Sequence, residues 1–136
     1  MMQVFNRSYY EDVLITRVHK WVNDTQSRER MKAINDFEDL LTKHNNTHIL
    51  KFYLHISPEE QTLRLDERIM NPQKQWKYNE TDFKEAKLWD IYMKMYEDCF
   101  AHCNKIPWNI IPADQNWYKD YLIATALRDL LKGLKM

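Results

Sequence analysis

Glycine is nearly missing. Gly133 is the only one in 136 residues, where average usage of roughly 7% would give about nine. A single glycine near the C-terminal end excludes every Gly-rich phosphate loop, since neither G-x-x-x-x-G-K-[ST] nor G-x-G-x-x-G can be written with it. An excess of one charge sign is missing too: 20 Lys+Arg balance 20 Asp+Glu. That balance argues against coating nucleic acid or an anionic membrane through the overall field, so neither is expected as a partner. No run approaches 18 apolar residues, so no transmembrane helix is expected. Residues 1–10 hold no apolar signal core, which makes a cytoplasmic location the expectation. Cys99 and Cys103 are the only cysteines, too few for a disulfide framework.

What is present is apolar and aromatic. Hydrophobic residues make up 44% and aromatics 13%, with five Trp and eight Tyr, enough for one folded core and against disorder. Val4-Phe5 reads as the end of a strand, and Tyr9–Val18 as a short helix. Asn23–Ser27 reads as a polar loop. Helical periodicity runs from Arg28 to about Thr42, with Met31, Ile34, Phe37, Leu40 and Leu41 on one face. Ile49–Ile56 alternates Leu50, Phe52, Leu54 and Ile56 at period two, a buried strand. Ser57-Pro58-Glu59-Glu60 combines a cap, a first-turn proline and a capping-box glutamate; the helix it starts ends near Met70, ahead of Pro72. Asn79–Asp82 starts a long helix to about Asn104, with a stripe of Phe83, Ala86, Trp89, Met93, Tyr96, Phe100 and Cys103. Asn109–Ile111 is a short strand between Pro107 and Pro112, and Tyr118–Leu134 a last helix. Strands alternating with helices predict an α/β layered fold with a parallel sheet, here with few strands for such a sheet.

Within that frame several stretches have a specific wording. They are Asn6-Arg7-Ser8-Tyr9-Tyr10-Glu11-Asp12, then Leu50-Lys51-Phe52-Tyr53-Leu54-His55-Ile56-Ser57, and Arg64 with Arg68. Further on come Asn71-Pro72 with Lys74-Gln75-Trp76-Lys77, Lys87-Leu88-Trp89-Asp90, and Ile111-Pro112-Ala113-Asp114 before Trp117-Tyr118. Together, and in this order, they resemble the polyphosphate kinase 2 family over nearly the whole chain. The resemblance implies a P-loop kinase-like three-layer αβα fold with a parallel sheet, present over residues 1–136 as a partial domain rich in helix. It would comprise the Walker B side plus a lid region at about 64–82. The family opens with a strand and a Gly-rich loop carrying a catalytic Asp and Lys, and this sequence contains neither. A truncated gene, a fragment, and a half that works with another chain all remain open.

The implied activity moves phosphate between inorganic polyphosphate and adenine nucleotides, AMP or ADP, with Mg²⁺, in a homo-oligomer. The 136-residue chain alone is expected to be inactive for want of a phosphate loop. The alternative is an inactive remnant that serves as a helical oligomerisation module. Phosphoryl transfer needs positioning and positive charge along the phosphates, and arginine's planar fork suits phosphate oxygens. The resemblance makes Arg7, Arg64 and Arg68 the catalytic arginines. Arg64 and Arg68, four apart, share a helix face; the competing reading pairs them with Glu60, Gln61 and Glu67 on a solvated surface. Arg7, just after the strand end, reads as a phosphate clamp or as a partner of Glu11 or Asp12. Asn6, Glu11, Asp12, Lys74 and Lys77 are the candidate substrate-binding residues, with Glu11 tied to the choice of acceptor. Trp76 reads as packing beneath its loop. An Asp commonly stands at the position of Asn6 in other branches of the family, so Asn6 is not read as a metal ligand. Cys99, His102 and Cys103 have no fourth ligand nearby and are not read as a metal site.

Overall fold

The structure is a computed structural model that describes residues 1–134. The chain separates into two compact units, Met1–Ile49 with Leu88–Ile106, and Leu50–Lys87 with Pro107 onward.

In the first unit a 3₁₀ turn spans Tyr9–Val13, capped where Ser8 Oγ accepts from the Tyr10 amide. Helix α1 follows over Ile15–Val18, so the expected Tyr9–Val18 helix is helical but split. The strand expected to end at Val4-Phe5 is not formed: these side chains are 84% and 75% exposed, and the described strands all lie in the other unit. A strand needs a neighbour for its backbone groups, and here it finds none. Helix α2 runs Asp24–His44. Asn23–Ser27 is therefore not a loop. Asn23 and Gln26 form a capping box, which turns a polar run into a helix start. The buried stripe of α2 is Ser27, Met31, Ile34 and Glu38. Phe37 and Leu40, expected on the core face, are 46% and 50% exposed. Glu38 is tolerated on the buried face because the Tyr9 and Tyr10 hydroxyls both donate to its carboxylate. Left-handed backbone occurs at Lys20 and Asn46 (φ 57° and 50°), positions where a chain less poor in glycine would commonly use one. Helix α5, Trp89–His102, packs on α1 and buries Cys99, with Cys103 buried just beyond it.

The second unit holds the sheet. β1 (Lys51–His55) and β2 (Trp108–Pro112) pair in parallel, Lys51 opposite Trp108 and His55 opposite Pro112. Around them lie α3 (Pro58–Met70), a 3₁₀ turn at Gln75–Lys77, α4 (Glu80–Ala86) and α6 (Asn116–Gly133). The alternation in β1 is inverted relative to the reading: Lys51 and Tyr53 are buried and Leu54 is exposed. Burial of the lysine is compensated where its Nζ sits 4.6 Å from the Trp108 ring centroid. Ser57 caps α3 through the Glu60 amide and Pro58 takes the first turn, as expected. The single helix expected from residue 79 to about 104 is broken at Lys87-Leu88 with neither Pro nor Gly present. α4 packs on α3 in this unit while α5 belongs to the other, so one apolar stripe serves two cores. The result is a mixed α/β chain, mostly helical, with a small parallel sheet.

Candidate functional site

In the first unit, the Asn6–Asp12 segment is exposed apart from Tyr10. Arg7 Nε lies 3.7 Å from Glu11 Oε1, with side chains 83% and 50% exposed, so the pair holds neither group firmly. What fixes the segment is its backbone and its two tyrosines. The Asp12 carbonyl accepts from Arg30 Nη1 at 3.1 Å and from Thr16 Oγ1 at 2.5 Å. Tyr9 and Tyr10 both donate to Glu38 Oε1, Tyr9 at 2.9 Å. Burial, reinforced by the Glu38 carboxylate, pushes both phenols well above their ordinary range, so they remain donors. Glu38 was not singled out from sequence. The signal was present as an acidic residue continuing the Ser27-Met31-Ile34 spacing.

A second charged group in this unit was also missed. Asp98 accepts from Arg17 Nη1 at 2.5 Å and from Arg28 Nη2 at 3.1 Å. Burial would raise its carboxyl pKa, but the two guanidiniums outweigh that and hold it below the usual carboxylate range. Beside it, burial and the neighbouring Cys103 push the Cys99 thiol up to about 12. A thiol held protonated is a poor metal ligand and a poor nucleophile.

In the second unit, α3 positions Arg64 and Arg68. Arg64 Nε donates to Glu60 Oε1 at 3.0 Å, and its Nη2 donates to the carbonyls of Ala113 and Asp114, both at 2.8 Å. Asp114 in turn accepts the Ser57 amide at 2.8 Å, and that bond holds its carboxyl below the usual range. The start of α3 and the segment after β2 are thus tied together by Arg64 and Asp114. Arg68 Nη1 donates to Asp82 Oδ2 at 2.8 Å, reaching α4. Lys74 is paired with Glu67 at 2.6 Å, and Lys77 Nζ stands 5.1 Å from the Trp76 ring centroid. Trp76 is 79% exposed, so it does not pack beneath its loop as expected.

The structure therefore gathers Arg64, Arg68, Lys74 and Lys77 in one unit, and Asn6, Arg7, Glu11 and Asp12 in the other. Each α3 arginine uses part of its fork on protein: Arg64 Nη1 and Arg68 Nη2 make no protein hydrogen bond among the described residues. A fork oriented by protein acceptors, with donors left over, is an arrangement that can receive an anionic oxygen. Among the described residues, no three of His, Cys, Asp and Glu come together to hold a metal ion.

The wording of these segments has close counterparts. The sequence profile of polyphosphate kinase 2 matches residues 1–136. An AMP/ADP-polyphosphate phosphotransferase of Meiothermus ruber is 43% identical over 135 residues, 98% of this chain and 50% of that protein. An uncharacterized protein of Leptolyngbya boryana is 39% identical over 110 residues, 79% of this chain and 80% of that one. The crystal structure of polyphosphate kinase 2 from Arthrobacter aurescens superposes with a TM-score of 0.93 at 42% identity, over 97% of this chain and 47% of the other. The chain thus spans about half the length of the Meiothermus and Arthrobacter proteins. With a match to the family profile along its whole length and a fold that superposes on a family member, this chain belongs to the polyphosphate kinase 2 family.

Proposed function

We propose that this chain contributes the nucleotide-side and lid residues of a phosphotransferase that moves phosphate between inorganic polyphosphate and AMP or ADP. The observation that carries the reading is the α3 arginine pair, buttressed by Glu60, Asp82 and two backbone carbonyls, with donors unspent. In this reading Arg64 Nη1 and Arg68 Nη2 take oxygens of the transferring phosphoryl group, where charge spreads in the transition state. Arg7, loosely paired and exposed, swings to a phosphate. Lys74 and Lys77 give up Glu67 and Trp76 for the polyphosphate chain. Asn6, Glu11 and Asp12, on a segment pinned through Tyr9, Tyr10 and the Asp12 carbonyl, face the acceptor nucleotide. Mg²⁺, in this reading, would need one or two carboxylates beside the substrate phosphates, not a cluster of three, and no such cluster forms among the described residues.

The chain carries no Gly-rich phosphate loop, and the expectation is that the 136-residue protein alone does not turn over. The test is a phosphotransfer assay with polyphosphate, Mg²⁺ and AMP or ADP. Robust turnover by the isolated protein overturns the inactivity. Absence of turnover even with the remaining half of the family fold supplied overturns the phosphotransferase reading.

A further inference from the structure

Helix α2 carries a carboxylate where its pattern calls for an apolar residue. Glu38 continues the buried Ser27-Met31-Ile34 stripe and is 1% exposed. Burying a carboxylate is costly even with hydrogen bonds, and an apolar side chain at 38 would extend the stripe at lower cost. What the carboxylate adds is direction. Its Oε1 takes the hydroxyls of two consecutive residues, Tyr9 at 2.9 Å and Tyr10. Consecutive side chains in a helical turn ordinarily diverge. Here the two rings converge, with centroids 5.1 Å apart, and Tyr9 also stands edge-on to Phe37 at 5.7 Å. Phe37 and Glu38 thus form a seat on α2 for the tyrosine pair.

The turn that bears these tyrosines needs such a seat. Tyr9–Val13 is a 3₁₀ helix of five residues, longer than that geometry usually sustains by its own bonds. Asn6, Arg7, Glu11 and Asp12 on and before it are exposed, and the Arg7–Glu11 pair is too loose to orient either side chain. Where these groups stand is therefore set by the backbone of the turn, and the backbone is set by what the tyrosines touch. Arg30, about two turns earlier on α2, grips the far side of the segment through the Asp12 carbonyl at 3.1 Å. We propose that Glu38 is a positioning residue of the nucleotide side: by receiving both hydroxyls it fixes the Tyr9–Val13 turn in the orientation that presents Asn6, Glu11 and Asp12 to AMP or ADP. It acts through Tyr9 and Tyr10. The proposal rests on the reading of this segment as the nucleotide side, and the two fail separately in the test.

Two measurements test it. Amide hydrogen exchange in the 136-residue protein reads the turn itself, at the Glu11 and Leu14 amides that donate to the Ser8 and Glu11 carbonyls. Steady-state kinetics in a full-length enzyme that also carries the phosphate loop read the nucleotide side. Glu38→Met is expected to speed exchange at both amides at least about tenfold. It raises KM for AMP or ADP about tenfold, with kcat and the polyphosphate KM changed less than about threefold. Glu38→Gln keeps an oxygen for the phenols and returns both readouts to within about threefold of the parent. Tyr9→Phe with Tyr10→Phe reproduces the Glu38→Met values, and adding Glu38→Met to that pair moves them no further, because the three side chains act as one unit. Ile34→Ala, a buried apolar loss on the same helix, lowers stability but leaves turn exchange and nucleotide KM unchanged. Unchanged exchange in Glu38→Met overturns the proposal; where that variant does not fold, unchanged exchange in the double tyrosine variant does so. An Ile34→Ala variant that moves both readouts as far as Glu38→Met also overturns it, since Glu38 would then be core packing alone. Faster exchange with neither KM moved overturns it as well. Faster exchange with a raised polyphosphate KM in place of a raised nucleotide KM upholds the positioning and overturns only the nucleotide reading.

Discussion

Arg64 shows how one side chain can be a strut and a candidate ligand at once. Its Nε and Nη2 are committed to Glu60 and to the chain after β2, so the guanidinium plane is set before any phosphate arrives. In a full-length enzyme that also carries the phosphate loop, Arg64→Ala is expected to lower kcat by roughly a hundred- to a thousandfold, with a smaller change in nucleotide KM; unchanged turnover would sink the role. Asp98 is the corresponding case for stability. Its carboxyl pKa is below the ordinary 3.8, so its contribution is fully present above that value and fades as pH falls through it and below. Asp98→Asn leaves Arg17 without its close partner, and a loss of about 2–3 kcal/mol is expected near neutral pH. Urea titrations of both proteins should converge as the pH drops below the ordinary value of 3.8. Ser27 is 1% exposed and its Oγ has no protein partner, so Ser27→Ala is expected to raise the unfolding midpoint by up to about 1 kcal/mol equivalent. A lowered midpoint would show that the hydroxyl is satisfied by buried water. The Arg64/Arg68 spacing was legible in the sequence because residues four apart on a helix are neighbours by local geometry. Glu38 was not, because Tyr9 and Tyr10 reach it from 29 and 28 residues away.

Among the elements, starts were easier to read than interiors. Ser57-Pro58 marks the beginning of α3 by chemistry confined to a few residues, and the structure uses it that way. Asn23 and Gln26 do the same for α2, though their polar company suggested a loop. Asn23→Ala is expected to cost about 1 kcal/mol, read as a lowered thermal midpoint with loss of helical signal confined to the first turn of α2. The break between α4 and α5 had no local marker. The sequence stripe continues at spacings of three and four through Lys87-Leu88, and only the division of the chain into two cores interrupts it. The same holds for β1, where alternation correctly announced a strand but did not say which face would be buried. Phe52 and Leu54 are the more apolar alternates, yet Lys51 and Tyr53 are inside, because Trp108 on the neighbouring strand offers the lysine a ring.

Across the molecule, the scarcity of glycine and the presence of family wording point the same way. The sequence contains no Gly-rich phosphate loop, and no turnover is expected from the isolated 136 residues in an assay with polyphosphate, Mg²⁺ and AMP or ADP. No helix among the described residues is long and apolar enough to cross a membrane. Membership of the family, the capped start of α3 and the arginine pair on α3 were all determined by sequence alone, since each rests on motifs or on contacts within a few residues. Tertiary structure decided the rest. It decided that Val4-Phe5 finds no strand to join, that Glu38 is inside and Phe37 outside, and that one apolar stripe is divided between two units. Each of these depends on a partner distant in the chain, and the free energy of burying or pairing a group is set by that partner rather than by the group's neighbours in sequence.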